Sequence, residues 1–266
     1  AQAAASSVNK EMEISMERLS TGKRINSAAD DAAGVAIASR LTSEIRGTDQ
    51  AIRNAMDAQA LIDTAEGAQL EVVNLLQRMR ELAVQASNDT NSTADRAALD
   101  TEFQDLETEI GRIGNTTSWA GKKLLDVDIT LNFQVGSRSA TADTIQVTIK
   151  QVAASAMGTD AATTASQSLD TYTNATAAIT VLDTAIASVN KQRASLGAVS
   201  NRLDSTVANL TNISNNLASG KGRIEDADFA AETTNLAKTQ ILQQASTAML
   251  AQANAAKQNV LSLLQG

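Results

Sequence analysis

The chain of 266 residues has no histidine, no cysteine and no proline, and only 2% of it is aromatic. Without histidine and cysteine it loses most of the side chains that perform acid–base or nucleophilic catalysis near neutral pH. Absence of cysteine also excludes disulfides. Positive charge is in deficit: 22 Lys and Arg against 30 Asp and Glu give a net charge of −8 and a pI of about 4.7. A nucleic-acid role therefore has no electrostatic footprint, and an anionic membrane surface is an equally poor partner. No run approaches the roughly 18 apolar residues of a spanning helix, so membrane insertion is not expected. No basic start followed by an apolar run marks a cleavable secretory signal at Ala1, so export would take another route. Trp119, Tyr172 and three phenylalanines are the whole aromatic supply, although 43% of the chain is hydrophobic. Much of that fraction is alanine, which suits closely approaching helices in thin layers better than one thick core.

What the chain does contain is a long repeat. Leu182, Val189, Leu196, Leu203, Leu210 and Leu217 recur every seventh position. Only a continuous helix keeps such residues on one seam, and that seam must be buried against other helices. Val8, Met12, Met16 and Leu19 form an earlier helical seam that stops at Ser20-Thr21-Gly22. A further helix is expected from about Asp31 to Ser87, with Ala55, Ala58, Ile62, Ala65, Gln69, Val72, Leu76, Met79, Ala83 and Ala86 on one side. Ser92 and Asp95 resemble a capping box for the next helix, whose seam is Leu99, Phe103, Leu106, Ile110 and Ile113. Gly111, Gly114, Asn115 and Gly121 are expected to end helical order there. Ser219-Gly220-Lys221-Gly222 is expected to break the heptad helix, and a last helix carries Leu242, Ala245, Met249, Ala253, Ala256, Val260 and Leu263.

Between the helices the period changes to two. Leu125, Val127, Ile129, Leu131, Phe133 and Val135 alternate with polar residues, and Ile145, Val147 and Ile149 repeat the pattern. With a turn in 136–143, the pair predicts a β-hairpin with one buried face. Residues 152–176, rich in Ala, Ser and Thr, read as an exposed loop or weak helix. Their Ser/Thr-rich part, 159–176, is a candidate for O-linked sugars. The fold class expected is mainly α: a long antiparallel helical bundle or coiled coil with a small β-hairpin.

Several polar residues admit two readings. Asp30, Asp31, Asp226 and Asp228 could act as paired general acids and bases. No nucleophile, histidine ligand or phosphate loop accompanies them, so they read as helix caps and partners of Lys23, Arg24 or Arg223. Arg78, Arg80 and Glu81 fit a solvated helix face with ordinary i,i+3 pairing. Gln69 reads as partly exposed, or as a polar seam residue that fixes helix register.

Longer blocks carry a resemblance. The run from Glu17 to Gly34 (ERLSTGKRINSAADDAAG) resembles the N-terminal signature of bacterial flagellin, and Leu76–Gln85 (LQRMRELAVQ) a second block of that family. Arg223–Glu232, Gln240–Ala245, Met249–Asn254 and Val260–Leu264 resemble its C-terminal signature. The resemblance implies a subunit that self-assembles into the extracellular flagellar filament used for swimming, with no enzymatic activity and no cofactor or metal. It implies two layers, D0 and D1, divided as a D0 helix in 1–21, a connecting segment in 22–34, D1 helices, hairpin and short loop in 35–176, a C-terminal D1 helix in 177–224, and a connecting segment with the C-terminal D0 helix in 225–266. Large outer domains are missing from the span after the hairpin. Family members begin with a short additional stretch before the position matching Ala1, which implies a shortened N-terminus.

The same resemblance supplies expected roles. Val8, Met12, Met16, Leu19, Leu242, Met249, Val260 and Leu263 would pack the inner layer. Leu76, Leu99, Phe103, Leu106, Leu182, Val189, Leu196, Leu203 and Leu210 would form the D1 core. Arg78, Leu82 and Glu102 match the family's contact positions for Toll-like receptor 5. Partners implied are the chain itself as a helical homopolymer, a flagellar export chaperone of the type III route, and cap and junction proteins. The alternative reading is a hook–filament junction protein, which shares the terminal-helix scheme.

Overall fold

The structure, a computed structural model, describes residues 2–138, 140–152 and 167–265, with the backbone alone at Gln2, Asn254 and 256–265. Five helices account for most of it: α1 (Gln2–Thr21), α2 (Ala32–Ala86), α3 (Thr93–Thr116), α4 (Tyr172–Glu225) and α5 (Phe229–Gln265). Four short strands lie between α3 and α4: β1 (Ser118–Trp119), β2 (Lys122–Lys123), β3 (Ile129–Gln134) and β4 (Thr144–Ile149). The fold is mainly α, with long antiparallel helices and a small hairpin. The chain divides into two compact units, residues 47–213 and the two ends, 1–46 with 214–266.

In the unit 47–213 the hydrophobic seams meet. Ala55, Ile62, Leu76 and Met79 of α2, Phe103 and Ile110 of α3, and Leu182, Ala185, Val189, Leu196 and Leu203 of α4 belong to one buried core. Leu99 and Leu106 pack against it half-buried, and Leu210 is 9% exposed at its edge. The heptad of α4 thus buries the side of the helix that its spacing defines. Polar ties run along the rims. Gln59 donates to Asp204 at 2.5 Å, Arg193 meets Glu66 at 3.3 Å, and Arg80 meets Asp183 at 2.6 Å. Ascending α2 descends α4, so the two are antiparallel.

The start of α3 is a capping box. Ser92 Oγ accepts from the Asp95 amide at 3.2 Å, and the Asp95 carboxylate accepts from the Ser92 amide at 2.9 Å. These bonds satisfy two of the amides that any helix start leaves unpaired. The Ser92 hydroxyl, which donates to the Asp95 carboxylate at 2.7 Å, and then the Ser92 amide hold that carboxyl below its ordinary pKa.

Several expectations are corrected. Gly111 and Gly114 do not interrupt α3, which continues to Thr116, one residue past Asn115. Glycine costs a helix only about 1 kcal/mol relative to alanine, less than burying Ile110 and the half-buried Ile113 contributes. Gly220 and Gly222 likewise fail to break α4, which runs to Glu225. The first hairpin strand is shorter than the alternation from Leu125 to Val135 suggests. Leu124 and Leu125 are fully buried core residues while Val127 is 54% exposed, so the period of two holds only from Ile129. Gln69 is not partly exposed; it is 1% exposed.

Strands β3 and β4 pair antiparallel from Ile129↔Ile149 to Gln134↔Thr144, with a 3-10 turn at Thr141–Asp143 between them. Ile145, Val147 and Ile149 face the core. The β1–β2 ladder was not expected from the sequence. It turns through Ala120 and Gly121, at φ 47° and 81°, the paired positive values of a tight hairpin turn. Of the segment 152–176, residues 153–166 lie outside those described, and so does the part 159–166 of the candidate sugar stretch 159–176. At its far end Leu169 is fully buried and its amide donates to Asp100 at 2.7 Å.

Candidate functional site

The residues singled out in the sequence fall in three places: the paired terminal helices, the clasp beside them, and one face of α2. In the unit formed by the chain ends, α1 packs closely against α5. Arg18 meets Glu232 at 3.7 Å, and Gln243 donates to Asn9 at 2.9 Å. Receding along α1 therefore advances along α5, and the pair is antiparallel.

What this pair buries is unusual. Ser15, Glu232, Thr239 and Ser246 are all less than a tenth exposed. The last three stand seven residues apart, so α5 presents a polar stripe to α1. Small hydroxyl side chains let two backbones approach closely. The apolar residues lie elsewhere: Met16 is 48% exposed, Leu242 40%, Met249 61%, Ile241 66% and Phe229 56%. Val8, Met12 and Leu19 are half-buried. The side chains of Val260 and Leu263 lie outside those described. Leu242 and Met249 stand seven residues apart, so these two exposed apolar side chains share one side of α5.

The clasp explains why α1 and α5 start and stop where they do. Gly22, at φ 71°, ends α1 in the left-handed conformation that glycine adopts at low cost, and its amide donates to Arg18 O at 2.9 Å. Next, Lys23 and Asp226 form an isolated antiparallel bridge, with the Arg24 amide donating to Glu225 O at 2.7 Å and the Ala227 amide to Gly22 O at 3.0 Å. Side chains reinforce it: Lys23 Nζ reaches Glu225 at 2.6 Å and Arg24 Nη2 donates to Ile224 O at 2.6 Å. Lys23, then Lys221, hold the Glu225 carboxyl below its ordinary pKa. The aspartates take the capping role. Asp31 accepts from the Gly34 amide at the start of α2, and Asp228 from the Ala230 and Ala231 amides at the start of α5. Asp30 accepts from the Ser27 and Asn26 amides, which lower its pKa in that order. The acid that pairs with Lys23 is Glu225, which the motif reading did not single out.

On α2, Arg78 and Glu102 are brought together. Arg78 donates to Glu102 at 2.9 Å and to Glu81 at 3.0 Å, and these hydrogen bonds raise its pKa, Glu102 first. Both side chains of the Arg78–Glu102 pair remain about half exposed. Leu82 does not share their face; at 1% exposed it packs into the core beneath them. Among the described residues no three carboxylates gather where a metal ion could be held, and no helix is long and apolar enough to cross a membrane.

The comparisons with known proteins agree on both halves of the chain. Residues 1–130 match the model of the bacterial flagellin N-terminal helical region, and residues 179–264 that of the bacterial flagellin C-terminal helical region. A flagellin of Halalkalibacterium halodurans is 49% identical, covering 94% of this chain and 90% of that relative. A flagellin of Bacillus subtilis is 41% identical, covering 98% and 95%. Among solved structures, a putative flagellar hook-associated protein from Vibrio parahaemolyticus superposes at a TM-score of 0.62. That match covers 74% of this chain and 100% of the other at 14% identity, a likeness of fold alone.

Proposed function

We propose that α1 and α5 carry the contacts between subunits, because this chain belongs to the bacterial flagellin family and is a structural subunit of the flagellar filament. It is a short form: only residues 131–178 separate the two matched regions, too few for a large outer domain. The subunit polymerises with itself, and filaments arise when contacts between unlike surfaces repeat without closing. The observation that carries the proposal is the exposed apolar set on the terminal pair: Met16, Phe229, Ile241, Leu242 and Met249. Covering them with neighbouring subunits removes apolar area from water, the main driving force of association. The polar stripe inside the pair gives little apolar gain to the isolated chain. This reading makes Val8, Met12, Met16, Leu19, Leu242, Met249, Val260 and Leu263 the inner-layer residues.

The same reading extends to partners. The filament component is extracellular, exported by the flagellar type III route, with an export chaperone shielding α5 beforehand and with cap and junction proteins at the filament ends. Arg78 and Glu102 offer a half-exposed charged pair to Toll-like receptor 5, with Leu82 supporting the helix face from below. Receptor binding by the monomer that is unchanged in Arg78→Ala would remove this assignment.

The assembly proposal is tested with Leu242→Asp combined with Met249→Asp. The expected result is loss of filaments in electron micrographs, with the unfolding transition of residues 47–213 unchanged. Filaments of normal length from the double variant would overturn it. Wild-type protein that forms no long filaments alone would favour a hook–filament junction role instead.

A further inference from the structure

A cavity of about 460 Å3 opens where α2, α4 and the outer end of the hairpin meet. Its wall includes Gln69 from α2, Asp128 and Lys150 from the hairpin flanks, and Ser188, Lys191 and Ser195 from α4. Gln69 sets the chemistry. It is 1% exposed, and neither its Oε1 nor its Nε2 has a hydrogen-bond partner among the described residues. Its neighbours in sequence, Ala65 and Val72, are fully buried on the same seam. A leucine would continue that seam without leaving a polar group unpaired.

The charges on the wall are not equivalent. Lys150 and Asp128 satisfy each other at 2.5 Å, and Asp128 also accepts from the Gln151 amide at 2.9 Å. Lys150 first, then that amide, hold the Asp128 carboxyl below its ordinary pKa, so it stays ionised. Lys191 has neither an ion pair nor a hydrogen bond among the described residues. Gln192 is committed elsewhere, donating to Thr148 O at 2.9 Å.

We propose that this cavity binds a small carboxylate that also carries a primary amide, the class of free asparagine and glutamine. A carboxamide presents an acceptor and a donor side by side, and a second primary amide, whose C=O and N–H lie on the same side, offers the reverse pair and satisfies both at once. The carboxylate of the ligand takes Lys191, a charge-assisted bond stronger than one between neutral groups. Ser188 and Ser195 can accept or donate, and Val189 supplies an apolar wall for a short carbon chain. Asp128 disfavours ligands with a second negative charge beside it.

The test uses the full chain, labelled with 15N, and succinamate, which is asparagine without its ammonium group, as the probe. Titration is expected to move the Gln69 side-chain NH2 signals saturably. Acetate, which has the carboxylate without the amide, is expected to leave them in place. Lys191→Ala is expected to weaken binding about tenfold, the loss of one charge-assisted bond. Gln69→Leu is expected to abolish binding in a protein that unfolds no earlier than the wild type. The proposal is overturned by a titration without saturable shifts in the wild type. Equal binding of acetate, or undiminished binding by Gln69→Leu, overturns it as well.

Discussion

A buried primary amide without a partner destabilises a folded chain, because both of its polar atoms leave water and recover nothing in exchange. Gln69 is in that position between α2 and α4. Gln69→Leu is therefore expected to stabilise the unit 47–213 by about 1 kcal/mol, or roughly 3 °C in Tm, measured by calorimetry without added ligand. Glu107 makes a related case with a charge. Burial first, and the neighbouring Asp100 second, raise its pKa, and its Oε2 has no partner among the described residues. The folded state thus keeps this proton to higher pH than the unfolded chain. Stability falls as pH rises from about 4, where an unfolded glutamate titrates, through the raised folded value, and stays lower above it. Glu107→Gln is expected to flatten that decline and to raise the urea midpoint at neutral pH. A variant whose midpoint follows the wild type at every pH would contradict this. Residue by residue, the sequence indicated seam positions well because spacing alone defines a helix face. It could not indicate that Leu82 turns inward beside an exposed Arg78, since both stand in a block with polar residues on either side.

For the helices, ends prove harder to read than faces. The capping box before α3 is legible, because a serine followed three residues later by an acid needs no distant partner. Ser92→Ala is expected to destabilise the protein by about 1 kcal/mol, measured by urea denaturation. The variant should also soften the acid side of the stability curve. Asp95 owes its lowered pKa first to the Ser92 hydroxyl, and that contribution is present above the unfolded pKa and lost as pH falls through the folded one. Glycines mislead in the other direction. Gly220 and Gly222 resemble a break, yet the last turn of α4 is secured from outside by Lys23 and Arg24, about 200 residues earlier. A contact so distant in sequence leaves no local trace. The β1–β2 ladder was missed for a different reason: two residues per strand are too few for alternation to register, and Ala120-Gly121 was the only signal.

At the scale of the molecule, the two units differ in what holds them. The unit 47–213 has a continuous core of Leu, Ile, Val, Ala, Phe and Met, whereas the terminal pair is zipped along Ser15, Glu232, Thr239 and Ser246. Opening free energy follows buried apolar contact. Amides of α1 and α5 in the monomer are therefore expected to exchange with deuterium roughly tenfold or more faster than those of residues 60–86. Polymerisation should slow them to comparable rates. Equal protection in the monomer would mean that the polar stripe holds better than its chemistry suggests. The clasp adds a consequence in time. Lys23 and Glu225 are 202 residues apart, and closing so long a loop is entropically slow until the intervening chain has compacted. The middle of the chain can therefore fold while its two ends are still separate. Closing the clasp needs residues from both ends of the chain, so a molecule cut short before Glu225 cannot form it.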